Sequence, residues 1–411
     1  MLDHQATVAI CGAGHSGTAA AAFLRQHGFV GPIHLISDEV REPYQRPPLS
    51  KASLLAGDEA PSIRGPAFFV QQDIDLLMGV AVRSIDPASL DVRLDDGRVL
   101  SCSAIMLATG ARARHLGIPG GELPGVLTLR TQDDAANLRK RMVPGSQLVV
   151  VGGGYIGLEV AAVARSLGVQ VTILEAASRV LARVGGTDLS TWLTDHHRSL
   201  GTRILTSVEP VEFLADRAGA LRAVGLATGV EVACDTVLIG IGAVPLDGVA
   251  QAAGIDCDRG IAVDRQARTS REHIYAIGDV TSRPVLGYPG SYRLESIPSA
   301  TEQAQQAVLH MLGLEARPLD VPWFWSDQGD IKVQIAGLPV GATRCVVRGD
   351  DRAGKFAVFH LDENDRLVCA EAVNDGQAFM AAKRWIAGGQ RLDPEALPDR
   401  SRALKDLATD W

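Results

Sequence analysis

Gly152, Gly154 and Gly157 form a G-x-G-x-x-G cluster, and Glu175 follows twenty-three positions after the first of them. Glycines at this spacing let backbone turn tightly and approach a pyrophosphate, and a later carboxylate can accept hydrogen bonds from ribose hydroxyls. The same cluster stands at Gly12, Gly14 and Gly17, with Asp38 twenty-six positions after Gly12 and Glu39 beside it. The loop Gly28-Phe-Val-Gly-Pro32 accounts for the longer gap. A hydride-transferring dehydrogenase needs one such unit; two in one chain are most economically assigned one to FAD and one to NAD(P)H. Six scattered cysteines with no C-x-x-C argue against a zinc site, an iron–sulfur site and a dithiol redox motif, so buried thiols and no metal are expected.

The glycines are useful only if strands and helices hold them. Gln147 to Val151 is an apolar run that reads as a buried strand, Leu158 to Leu167 as a helix, and Val169 to Glu175 as a second strand. Thr7 to Cys11, Thr18 to His27 and Ile33 to Ser37 repeat that order. Ala104 to Gly110 and Ile274 to Asp279 read as strands that end on Thr109-Gly110 and Gly278-Asp279, where backbone can meet a ligand closely. Between them, Arg46-Pro-Pro-Leu-Ser-Lys51 has adjacent prolines that favour extended chain, displaying Arg46 and Lys51 from a stiff loop.

Turn-rich Gly117 to Pro124 marks a candidate domain boundary, Arg130 to Asp134 opens a helix, and Gly242 to Pro245 is where the chain crosses back. Asp188 to Leu200 and Pro298 to Leu312 read as helices, and residues 318–322 as a linker. The remainder, with strands at 332–335, 344–347, 355–361 and 367–372 and a helix at 376–386, suggests an α+β terminal domain. The class is α/β: two Rossmann-like units plus that domain.

At 411 residues the chain has length for two or three domains. Its net charge of -8 disfavours nucleic acid as a partner, and no apolar run reaches the length of a membrane span. With no export signal read at the N-terminus, a cytoplasmic protein is expected.

End to end, the chain resembles the FAD-dependent NADH:ferredoxin reductases of bacterial oxygenase systems. The resemblance is carried by Pro43-Tyr-Gln-Arg-Pro-Pro-Leu-Ser-Lys51, Ala108-Thr-Gly110, Gly152 to Glu159, Arg179-Val-Leu-Ala-Arg183, Tyr275-Ala-Ile-Gly-Asp279, Arg293-Leu-Glu-Ser296 and Pro322-Trp-Phe-Trp-Ser-Asp-Gln328. Two departures are Gly329-Asp330, where many members carry an aromatic residue, and Ile297, where some carry a tryptophan beside the flavin.

The resemblance implies a glutathione-reductase-like architecture: FAD domain 1–115 and 245–320, NAD domain 116–244, C-terminal domain 321–411. It implies FAD contacts from Gly12, Gly14, Ser16, Gly17, Asp38 (adenosine ribose), Arg46, Lys51, Val82, Thr109, Gly110, Arg130, Gly278, Asp279 (a ribityl hydroxyl) and Ile297, with Trp325 near the flavin edge. NADH would be held by Gly152, Gly154, Tyr155, Ile156, Gly157, Glu175 and Arg183. Glu159, expected in the first helical turn, would pair with Lys51 beside the flavin as the catalytic pair.

On this reading electrons pass from NADH through FAD to a [2Fe-2S] ferredoxin, which supplies a Rieske-type oxygenase or a cytochrome P450. The reductase, monomer or homodimer, meets the oxygenase only through the ferredoxin. Glu175 favours NADH over NADPH, since a 2′-phosphate would meet a like charge. The ferredoxin is expected to dock on a basic and aromatic cluster, Lys383, Arg384, Trp385 and Arg391. A disulfide reductase or NADH oxidase of the same fold would need a cysteine between Pro43 and Leu55, which is absent. An NADH-sensing flavoprotein is the remaining alternative.

Overall fold

The computed structural model describes residues 2, 3 and 6–409. They divide into two compact units, one drawn from the described residues up to 45 with 61–112 and 244–324, the other from residues 46–60, 113–243 and 325–409.

The first unit is built on a five-stranded sheet in the order Ile274–Ala276, Ala104–Leu107, Val8–Cys11, Ile33–Ile36, Ile74–Leu77, every pair parallel. Strands covered on both faces read as unbroken apolar runs, and Val8–Cys11 is one. Val8 and Ile10 face a layer formed by the helices His15–Gln26 and Ile297–Met311 through Ala20, Leu24, Ala304 and Val308. Ala9 and Cys11 point the other way, toward Ala250, Ile255 and Val263.

The second unit repeats that sheet as Val126–Thr128, Thr236–Ile239, Gln147–Val151, Gln170–Glu175, Arg203–Thr206, again all parallel. It also carries a second sheet, in the order Trp323–Gln328, Ile331–Gly337, Leu367–Val373, Lys355–Leu361, Arg344–Asp350. The last four strands pair antiparallel, and the helix Gly376–Ala387 lies on Leu367–Val373 and Ile331–Gly337.

Three sequence expectations change. The helices after the glycine turns are His15–Gln26 and Tyr155–Ser166, each starting three residues before the expected Thr18 and Leu158. Glycine has poor helix propensity, yet Gly17 and Gly157 lie inside the first turn because the helix must press against its strand there. The adjacent prolines do not keep the chain extended: Pro47–Ser50 is a 3₁₀ turn, with Arg46 already in the right-handed region. Proline's fixed φ suits the first turn of a helix as well as it suits extended chain. Finally, Trp323–Gln328 is a strand, where no secondary structure is read from a tryptophan-rich segment next to a linker.

Candidate active site

The two glycine turns can be dissected position by position. Gly12 has φ +124, and a Cβ there would lie 2.2 Å from the carbonyl oxygen of Ala108. At Gly17 a Cβ would lie 1.9 Å from Gly12 O. The second unit repeats both constraints: Gly152 has φ +109 with its Cβ position 2.5 Å from Gly240 O, and that of Gly157 is 2.3 Å from Gly152 O. Folding alone therefore demands the first and third glycines.

The second glycine is different. Gly14 has φ -70, a conformation open to any residue, and among the described residues no atom lies within 4 Å of its Cβ position. At Gly154, with φ -81, the nearest atom is 3.9 Å away. Neither backbone nor packing asks for glycine at these two positions; open space beside the turn is what a closely approaching pyrophosphate requires. Both following helices begin without a side-chain cap or an acid in the first turn, so their positive ends face that space uncompensated. The residues fit one dinucleotide in each unit.

In the first unit, Gly278 has φ +80, and a Cβ there would strike Ser16 Oγ at 2.6 Å, so the Gly-Asp turn lies directly against the first glycine helix. This brings Asp279 to the same end of the sheet as Gly12 to Gly17. Thr109 Oγ1 donates to Leu246 O at 2.8 Å, and Gly110 has φ +69. Asp38 is exposed beyond the strand end, whereas Glu39 Oε2 accepts from Tyr44 Oη at 2.6 Å. Val82 and Ile297 are half-buried.

In the second unit, Glu175 Oε2 accepts from Gly153 N at 2.7 Å and Oε1 from Ala177 N at 2.8 Å. Arg179 donates to the carbonyls of Gly185, Gly186 and Ala182 and so shapes the loop that leaves Arg183 exposed. Ile156 is 47% exposed on the first helical turn. Burial, then the nearby Glu371 and Cys369, push the Tyr155 phenol well above its usual range, so it is neutral.

Arg46, Lys51, Arg130 and Trp325, expected at FAD, belong to the second unit with the expected NADH residues. Arg46 Nη1 donates to Arg130 O at 2.7 Å. Lys51 Nζ donates to Glu159 Oε2 at 2.8 Å, an ion pair with side-chain exposures of 18% and 4%. Glu159 is the fifth residue of its helix, beyond the first turn, so the expected support from the helix end is replaced by hydrogen bonds. Ser50 Oγ donates to Oε2 at 2.5 Å and Ser326 Oγ to Oε1 at 2.6 Å. Three donors, one of them a cation, satisfy both oxygens of this buried carboxyl group. Ser50 and Ser326 are not among the expected site residues, although both lie inside motifs that carry the resemblance; a serine gives no signal until its neighbour across the fold is known.

Trp385 is not part of a surface cluster: it is buried and packs on Phe359 at a ring separation of 5.9 Å, because it falls on the inner stripe of its helix. Arg384 and Arg391 are exposed. Burial pushes the thiols of Cys11 and Cys234 up to about 12 and that of Cys102 to about 11. Among the described residues no cluster of His, Cys, Asp and Glu could hold a metal ion, and no helix is long and apolar enough to cross a membrane.

Two dinucleotide cradles and a buried lysine–glutamate pair define a pyridine-nucleotide-linked oxidoreductase. The comparisons make the family specific. Residues 6–306 match the pyridine nucleotide-disulphide oxidoreductase family and residues 323–408 the reductase C-terminal family. A probable ferredoxin reductase, CtmF, of Castellaniella defragrans is 41% identical, with 98% of each chain covered. The ferredoxin–NAD(+) reductase component of the biphenyl dioxygenase system of Paraburkholderia xenovorans is 38% identical over 99% of this chain and 98% of its own. Among solved structures, the covalent putidaredoxin reductase–putidaredoxin complex superposes with a TM-score of 0.95 at 36% identity, covering 98% of each chain. The chain belongs to the pyridine nucleotide-disulphide oxidoreductases, and within them to the ferredoxin reductases of oxygenase systems.

Proposed function

We propose that this protein takes electrons from NADH through FAD to a [2Fe-2S] ferredoxin that serves a Rieske-type oxygenase or a cytochrome P450, in the cytoplasm. The observation that carries the reading is the pair of second glycines, Gly14 and Gly154, which each unit keeps for no reason of its own. When bound, FAD accepts a hydride from NADH and releases its electrons one at a time.

The chain's own part is binding and orientation. Gly12 to Gly17 with Ser16, Asp38, Val82, Thr109, Gly110, Gly278, Asp279 and Ile297 would form the FAD side; Arg46, Arg130 and Trp325, in the second unit, are assigned to FAD by the family resemblance alone. The NADH side is Gly152 to Gly157 with Tyr155 and Ile156, Glu175 and Arg183. Lys51, held by Glu159, would supply a positive charge to stabilise the negative charge that a bound flavin gains on reduction. The domain division of 1–115 with 245–320, 116–244 and 321–411 belongs to the same reading, supported by the separate parallel sheet in each unit and the further sheet after residue 322, while residues 46–60 group with the second unit and not with the rest of 1–115. Lys383, Arg384 and Arg391 remain the proposed docking charges for the ferredoxin, without the buried Trp385.

The test is NADH-driven cytochrome c reduction with and without the ferredoxins of candidate oxygenase systems. Turnover that depends on one of them supports the reading; NADH oxidation that bypasses every ferredoxin and delivers electrons to oxygen at the same rate would overturn it. Lys51→Met should slow flavin reduction on the order of tenfold or more, the loss expected on removing one donor to developing charge.

A further inference from the structure

The Glu159 carboxylate is one end of a longer buried chain. Ser326 Oγ, which donates to Glu159 Oε1 at 2.6 Å, lies 3.2 Å from Gln328 Nε2, and Gln328 Oε1 lies 2.8 Å from His197 Nε2. Glu159 is 4% exposed and Ser326, Gln328 and His197 are each 0% exposed. The donors run in one direction. Ser326 gives its proton to the carboxylate, so the Gln328 amide must turn its NH₂ toward Ser326, which leaves Oε1 to accept from His197 Nε2–H. His197 Nδ1 has no partner among the described residues. Burial lowers the His197 pKa, which keeps the ring neutral with its one proton on Nε2.

These side chains sit where apolar ones would pack more simply. The helix Thr187–Ser199 buries Leu189, Leu193 and His197 at four-residue spacing, so His197 stands on the core stripe. The strand Trp323–Gln328 turns Ser326 and Gln328 inward by alternation. Burying three polar side chains is unfavourable unless they are paired, and these are paired with one another and with Glu159.

We infer that Ser326, Gln328 and His197 are positioning residues for the electron-transfer reaction, fixing the Glu159 carboxylate so that it holds the Lys51 ammonium in place. The inference rests on the proposed role of the Lys51–Glu159 pair in flavin reduction. It extends that role through the strand Trp323–Gln328 to the helix Thr187–Ser199, which has no expected share in it.

The test is single-turnover flavin reduction of the FAD-loaded enzyme by excess NADH, in wild type, E159Q, Q328M, H197L and H197Q. The methionine side chain in Q328M keeps the length of glutamine without its hydrogen bonds, and the new amide in H197Q can still donate to Gln328. Q328M should slow flavin reduction about fivefold, the equivalent of one net hydrogen bond, with the dissociation constant for NADH changed less than the rate. H197L should slow it by a smaller factor, and H197Q should recover most of the loss, which a packing role would not allow. Wild-type rates in both Q328M and H197L beside a slow E159Q would overturn the relay while leaving the pair intact. An E159Q enzyme as fast as wild type would overturn the reading of the pair itself, and the relay with it. If Q328M does not fold, H197L against H197Q makes the same decision, and equal slowing in both would refute the proposal.

Discussion

The two glycine units share a backbone and differ at the ribose end. The four strands around each glycine turn are arranged alike, the fifth coming last in the chain in one sheet and first in the other, and the strand pairs Cys11 with Ile36 in one and Val151 with Leu174 in the other. The next residue in register is Ser37 in the first unit and Glu175 in the second. Glu175 is tied to Gly153 N, and a Cβ at 153 would lie 2.9 Å from Val180 Cγ1 and 3.2 Å from Glu175 Oε2. The matching position in the first unit is Ala13, with no carboxylate to accommodate, and its acid, Asp38, comes one residue later and is exposed. The pyrophosphate cradle is therefore a copy, while the part that reads the ribose has been built twice in different ways.

That contrast can be broken at the second glycines. G14V should fold, since its Cβ meets nothing and its φ suits any residue, yet the purified protein should lack flavin absorbance almost entirely. G154V should keep FAD and raise the KM for NADH at least about tenfold, roughly 1.4 kcal/mol of binding. If either variant binds its nucleotide normally, the open space serves something else. Substitution at Gly12 or Gly17, by contrast, should cost folding, because the new Cβ would overlap backbone.

The ribose difference gives a smaller effect. E175S removes the acceptor and leaves Gly153 N and Ala177 N unpaired, so the specificity constant for NADH should fall about tenfold, and the preference over NADPH should shrink with it. Equal or better use of NADPH by the unaltered enzyme would show that Glu175 has been assigned wrongly.

A histidine in each unit separates the two by pH. Burial chiefly lowers the His197 pKa below 6.5, opposed by the hydrogen bond that His197 gives to Gln328 and aided by His196, whose ring lies 5.9 Å away. The unfolded chain then binds the proton more readily, so this contribution is present above pH 6.5 and is lost as pH falls toward the folded value. Burial and then Arg268 lower His310 in the first unit as well, but it is half-buried and should contribute less. Melting temperatures between about pH 7.5 and 5, the span in which histidine changes charge, should fall less steeply for H197Q than for wild type, and hardly change in slope for H310Q.

The smallest expected effect is at Cys11, which stands where the second unit has Val151. Its thiol, pushed up to about 12, is protonated at neutral pH. C11V should therefore keep FAD loading and ferredoxin-dependent turnover within about twofold, a small-to-similar apolar exchange in a core. Lost turnover at full flavin occupancy would mean that a thiol takes part.

Much of this is legible in the chain because it depends on local pattern. The apolar run Gln147–Val151 matches its strand, and glycine spacing marks both turns. Helix starts are harder to place because glycine's low propensity argues against a helix where close packing at Gly17 and Gly157 demands one. Lys51 and Glu159 can be paired only through the resemblance, since no local pattern links residues so far apart. Ser326, Gln328 and His197 are beyond reach for the same reason: a histidine at a leucine position gives no hint of its partner.

The outer strand of each parallel sheet has a further consequence, for the order in which the protein can form as it is made. In the second unit Val126–Thr128 precedes the glycine turn, so all five strands have been synthesised once residue 239 has been added. The first sheet begins earlier but closes later, because Ile105 must wait for Ile274. Synthesis from the N-terminus therefore leaves the edge of Ala104–Leu107 unpaired while the whole inserted unit is translated. The half of the molecule that starts first is finished second, and its waiting strand edge leaves the nascent chain open to wrong pairing.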